Sequence, residues 1–108
     1  MNPEAETVIQ ASKQCLTRLL PYITEPVTVD FVASYLVTGE IPGHAWKLPI
    51  RVSLVDPHSL ARQLLLDLFR FERFRTAGSH FGRGRASRAL SAAEHTCYEI
   101  RTWLTDNA

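Results

Sequence analysis

Residues 27–39 read Val27-Thr28-Val29-Asp30-Phe31-Val32-Ala33-Ser34-Tyr35-Leu36-Val37-Thr38-Gly39, and two periodicities compete for them. Val27, Val29, Phe31, Ala33, Tyr35 and Val37 alternate, the period-two pattern of a half-buried strand. Phe31, Val32, Tyr35 and Leu36 instead form a face at helical spacing. Thr28 is placed to cap a helix, Val27 and Val32 occupy the two staple positions, and Gly39 ends it where a left-handed backbone costs least. The cap signals tip the reading to helix over residues 27–38. That choice decides the fold class. With a helix here the chain is mainly α, a small helical bundle of about four helices with one short extended segment. With a strand it becomes α+β, a two-stranded hairpin of residues 27–38 and 49–55 packed by three helices.

The flanking segments carry clearer punctuation. Asn2 can cap a first helix, Pro3 suits its first position, and Glu4 and Glu6 complement the positive end of the dipole. Val8, Ile9, Cys15, Leu16, Leu19 and Leu20 form its apolar stripe, with Ser12 in line, and Pro21 stops it, giving a helix over about residues 3–20. Residues 40–49 form a loop marked by Pro42-Gly43 and Pro49 and holding His44 and Trp46. Leu48, Ile50, Val52 and Leu54 then alternate with Pro49, Arg51 and Ser53 in a short extended segment. Without a second strand its backbone groups lack an intrachain partner, so it is plain extended chain or pairs across a dimer.

Asp56-Pro57 is a cap followed by proline at the first position, and opens a helix to about Arg75. Leu60, Leu64, Leu65, Leu68 and Phe71 line one side, and Arg62, Leu66, Arg70 and Arg73 the other. Asp67–Arg70 and Glu72–Arg75 read as i,i+3 pairs. Apolar residues spread round most of this helix, which places it at the centre of the fold or at an interface. A glycine loop over residues 77–84 leads to the last helix, about residues 86–105. There Ala86, Leu90, Ala93, Cys97, Ile100 and Leu104 recur at spacings of four, three, four, three and four. This heptad seam suits packing inside a bundle, and Ala86, Ala89 and Ala93 allow close approach.

A chain of 108 residues is one domain, residues 1–108, long enough to bury a core. The acidic start lacks the basic and apolar regions of a secretory signal, and Leu64-Leu65-Leu66 is far too short a run for a span. Neither end carries a lipidation motif. A soluble, cytoplasmic protein with no membrane partner is expected. Cys15 and Cys97 each fall on an apolar stripe and read as small buried hydrophobes; a disulfide between the first and last helix is conceivable geometrically but nothing favours it.

Charge is the best functional clue. Residues 70–88 hold Arg70, Arg73, Arg75, Arg83, Arg85 and Arg88 against the single acid Glu72, a formal +5. The rest of the chain holds six Lys/Arg and ten Asp/Glu, so a nearly neutral protein carries a strong internal asymmetry. Arginine keeps its charge and offers a planar fork to phosphate. Phe69, Phe71, Phe74 and Phe81 are interleaved, the composition of single-stranded nucleic-acid binders, with charge for the backbone and rings for stacking. The amides of residues 87–89 would add the N-terminus of the last helix, itself an anion site. The bland account is that arginines favour helix C-termini, the phenylalanines are core and the Gly-Arg-Gly-Arg stretch is a solvated turn.

Other chemistry finds little footing. A helix-turn-helix fails because no second helix starts soon enough after Gly39. His44, His58, His80 and His95 include no i,i+4 pair, and His95 with Glu99 reads as a surface pair rather than a metal site. Cys97 and His95 are two apart and diverge on a helix, so they form no dyad. Nucleophile elbows and phosphate loops are missing. The expectation is a non-enzyme without cofactor or metal: a small binding protein whose six arginines contact an anionic partner, most simply nucleic acid, DNA or RNA. The alternative is an oligomeric adaptor or regulator that binds protein through its helical faces, anchored by residues such as Trp46 or Trp103, with the Leu48–Leu54 segment as an edge for a partner.

Overall fold

The computed structural model describes residues 3–41, 56–76 and 80–107. Four α-helices account for nearly all of them: α1 (Pro3–Leu19), α2 (Pro26–Thr38), α3 (Pro57–Thr76) and α4 (His80–Asn107), with a 3₁₀ turn over Leu20–Tyr22 after α1. No strand occurs among the described residues. The mainly α reading holds, and the hairpin alternative falls because residues 27–38 are helical. Asn2, His44, Trp46, the extended segment of residues 49–55 and residues 77–79 of the glycine loop lie outside the described residues.

The helix α2 forms for a reason slightly different from the one expected. Its cap is Glu25, extended at φ −80° and ψ 116°, with Pro26 at the first helical position. Proline presets the helical φ and pushes its predecessor out of the helical region. Thr28 therefore sits inside the first turn, fully buried, and its hydroxyl donates to Glu25 Oε1 at 2.7 Å. Arg62 of α3 donates its Nε–H to Thr28 Oγ1 at 3.0 Å and pairs with Glu25, fastening the start of α2 to α3. The expected staple fails as well, since Val32 is buried but Val27 is 48% exposed. Gly39 ends the helix as expected, left-handed at φ 74°, its N–H donating to the Tyr35 carbonyl at 2.8 Å. Phe31, Val32 and Tyr35 point into the core while Val37 stands 86% exposed, so the helical face wins over the alternating one.

The centre is α3, which touches the other three helices. Its apolar side, Leu60, Leu64, Leu65, Leu68 and Phe71, is buried as the sequence indicates. It packs most extensively on α4. Phe74 meets Arg85 and Asp67 meets Thr96, so the two helices run antiparallel. Cys15 beside Cys97, and the Tyr22 ring edge-on to Trp103 at 5.3 Å, set α1 parallel to α4. The α4 seam, Leu90, Ala93, Cys97, Ile100 and Leu104, is buried within the single chain, and Trp103 packs partly buried against the core.

The beginning of α4 departs from expectation. The helix starts at His80, so Gly82 and Gly84 lie inside it rather than in a loop. A helical glycine costs about 1 kcal/mol relative to alanine, which tertiary packing outweighs. Gly82 is buried here. The amides of residues 87–89 are consequently spent within α4, and the anion site expected at a helix start there does not exist.

Candidate functional site

The antiparallel pairing of α3 with α4 decides where the arginines go. The last two turns of α3 face the first turns of α4, so side chains from residues 66–74 and 85–92 meet across one seam. Two adjoining depressions open there. One, of about 400 Å³, is lined by Asp67, Arg70, Phe74, Arg85, Arg88 and the small residues Ala89 and Ala92. The other, of about 290 Å³, is lined by Leu66, Phe69, Arg70, Arg73, Phe74 and Arg85. Arg70, Phe74 and Arg85 are common to both, which makes them one groove. Half-buried Phe74 forms its middle, with the Arg85 guanidinium carbon 5.4 Å from the ring centroid. Such a position favours the cation through the ring quadrupole.

Four of the six arginines thus converge: Arg70 and Arg73 from α3, Arg85 and Arg88 from α4. All four are exposed at the surface. The remaining two lie apart from the groove. Arg75 pairs with Glu72 on its own helix, as expected, and lies over Phe71 at 5.9 Å. Arg83 is exposed and lines neither depression.

Asp67, read as an i,i+3 partner of Arg70, has its hydrogen bonds elsewhere. It is 2% exposed, with Oδ1 accepting from Gln63 Nε2 at 2.8 Å and Oδ2 lying 3.0 Å from Thr96 Oγ1. Thr96 Oγ1 also lies 3.0 Å from the Ala92 carbonyl. Its single proton serves one acceptor at a time. Both are served if Asp67 carries a proton of its own and donates it to Thr96. Burial, in keeping with this, raises the Asp67 carboxyl above its ordinary value of 3.8, against the opposing pull of the Gln63 and Thr96 hydrogen bonds and of Arg70 and His95. No sequence signal marked Asp67 as buried except its place beside the apolar Leu64 and Leu68 on the helix.

A pH dependence follows. The folded chain holds the Asp67 proton more tightly than the unfolded chain, so this group favours folding fully below pH 3.8, and that contribution is lost as pH rises through the folded value. Asp67→Asn imitates the neutral form. Its denaturant midpoint relative to wild type should therefore rise between acid and neutral pH. A midpoint difference that stays flat over that range would show that Asp67 titrates normally.

A larger cavity, about 630 Å³, lies elsewhere, between α1, α2 and α3, with Ile9, Lys13, Tyr35, Phe71 and Glu72 in its wall. Burial and then the Glu72 carboxylate push the Tyr35 phenol up to about 12, so it stays neutral. Lys13 sits 5.9 Å from the Tyr35 ring centroid and Glu72 is engaged by Arg75. The wall is chiefly apolar and offers no paired nucleophile and base. His95 pairs with Glu99 at 3.2 Å, and among the described residues no cluster of three or more His, Cys, Asp or Glu could hold a metal ion. No described helix is long and apolar enough to cross a membrane. Compared with known protein families, with curated proteins and with solved structures, the chain matches none.

Proposed function

We propose that the chain is a small non-catalytic binding protein that holds a nucleic acid in the groove between α3 and α4. One observation carries this reading: arginines from two helices surround a half-buried phenylalanine in a single depression. Guanidinium groups on both banks suit a phosphate backbone, and the apolar floor suits a base. Single-stranded nucleic acid fits better than duplex, since an unpaired base is exposed and can stack. The adaptor reading draws less support, because the α4 seam is already covered inside the chain.

The test is a binding isotherm with a single-stranded oligonucleotide at two salt concentrations. Four neutralised phosphates imply a slope near −3 in log affinity against log salt, at about −0.7 per contact for single strands. Affinity should then fall roughly 50-fold between about 50 mM and 200 mM salt. Absence of binding at low salt, in a folded chain, would refute the proposal. A stable oligomer indifferent to polyanions would place the protein with the adaptors instead.

A further inference from the structure

Away from the arginines, α1 and α4 bring Cys15 and Cys97 together from 82 residues apart in sequence. Both are free thiols, 3% and 1% exposed. Cys15 Sγ lies 3.8 Å from the Cys97 carbonyl oxygen, close enough to hydrogen-bond it. Cys97 Sγ is 3.4 Å from the hydroxyl of buried Ser12. Cys97 also lines a cavity of about 410 Å³, together with Thr7, Val8 and Ala11 of α1 and Glu94 and Arg101 of α4. Thr7, Glu94 and Arg101 are exposed, so the cavity opens to solvent, with Cys97 in its wall. Cys15 does not line it.

We propose that a hydroperoxide entering this cavity converts Cys15 and Cys97 into a disulfide that ties α1 to α4. The geometry divides the labour. The Cys97 thiolate attacks the outer peroxide oxygen, the O–O bond breaks, and the alkoxide or hydroxide leaves with a proton as alcohol or water. Cys97 is then a sulfenic acid. The Cys15 sulfur attacks that sulfur and the hydroxyl departs with the Cys15 proton as water. Two thiols lose two electrons and the hydroperoxide gains them.

The surroundings favour Cys97 as the attacking sulfur. Its contact with Cys15, then the Ser12 hydroxyl and the Arg101 charge, lower its thiol below the ordinary 9.0, against burial and Asp67. The same contact and burial push the Cys15 thiol up, although Arg101 and Arg18 pull the other way. A lowered thiol ionises more readily and is the better attacking sulfur, and Cys97 is also the one that lines the cavity, which Cys15 does not. The sequence left a disulfide between the first and last helix conceivable but nothing favoured it, because each cysteine merely fits an apolar stripe and only the parallel packing of α1 on α4 brings them together.

The experiment treats the reduced full chain with hydrogen peroxide in buffer, blocks remaining thiols, and measures mass and non-reducing mobility. The expected product is an intrachain disulfide, about two mass units lighter, reversed by dithiothreitol, with a raised denaturant midpoint. Cys15→Ser should stop at a sulfenic acid on Cys97 that a dimedone probe traps. Cys97→Ser should leave Cys15 reduced. Two thiols still open to alkylation after unfolding would overturn the proposal, as would linkage only between chains or only in denaturant. Oxidation of Cys15 as fast in Cys97→Ser as in wild type would overturn it too. The wild-type measurement stands alone if either variant fails to fold.

Discussion

Arg70→Glu, Arg85→Glu and Arg88→Glu made together are expected to abolish nucleic-acid binding and leave the helices intact. All three side chains are exposed, so the substitution buries no charge. A charge-assisted hydrogen bond contributes about 1.5 kcal/mol or more, so losing three weakens binding by roughly a thousandfold before the added repulsion is considered. The informative control is the same reversal at Arg75 and Arg83. These belong to the same charged stretch of sequence but lie outside the groove. Arg75 pairs with Glu72 in the open, where such a pair contributes less than about 1 kcal/mol. The double variant should fold and keep much of its affinity. Equal losses in both variants, measured as oligonucleotide affinity at one salt concentration with circular dichroism to check folding, would mean diffuse attraction rather than a site.

The contrast between those two sets of arginines shows where sequence reasoning reaches its limit. Periodicity located the buried faces of α1, α3 and α4, because hydrophobic spacing and burial answer to the same geometry. It misplaced two of the starts, those of α2 and α4. Thr28 satisfied the rule for a cap, yet Pro26 two residues earlier set the start, and the Thr28 hydroxyl turned to Glu25 instead. Gly82 and Gly84 looked like a loop because glycine is permissive, but permissive is not prohibitive, and α4 runs through both. That longer helix is what brings Arg85 and Arg88 level with Phe74 and Arg70. The composition of the arginine stretch was visible from the sequence. Which arginines share a groove depends on the register between α3 and α4, and no single segment encodes that. The same holds for Asp67 under the groove and for Cys15 beside Cys97.

Core substitutions in α4 test that register from the other side. Ile100 is fully buried and Leu104 is 3% exposed. Ile100→Ala should cost about 2–5 kcal/mol, since the lost methylenes leave a cavity that neighbouring helices fill incompletely. A domain of this kind typically holds only about 5–15 kcal/mol in all. Ala93→Arg should be worse. Ala93 is 0% exposed on the seam, where its small size permits close helix approach. A guanidinium there would be forced into a close helix contact, and desolvating a charge without a partner costs several kcal/mol. The chain should fail to fold, seen as loss of the cooperative denaturation transition. Because the seam is covered within one chain, the Ile100→Ala midpoint should not move with protein concentration, whereas a seam shared between subunits would make it rise as concentration rises. Unchanged stability in Ile100→Ala would remove α4 from the core and, with it, the groove that α4 helps to build.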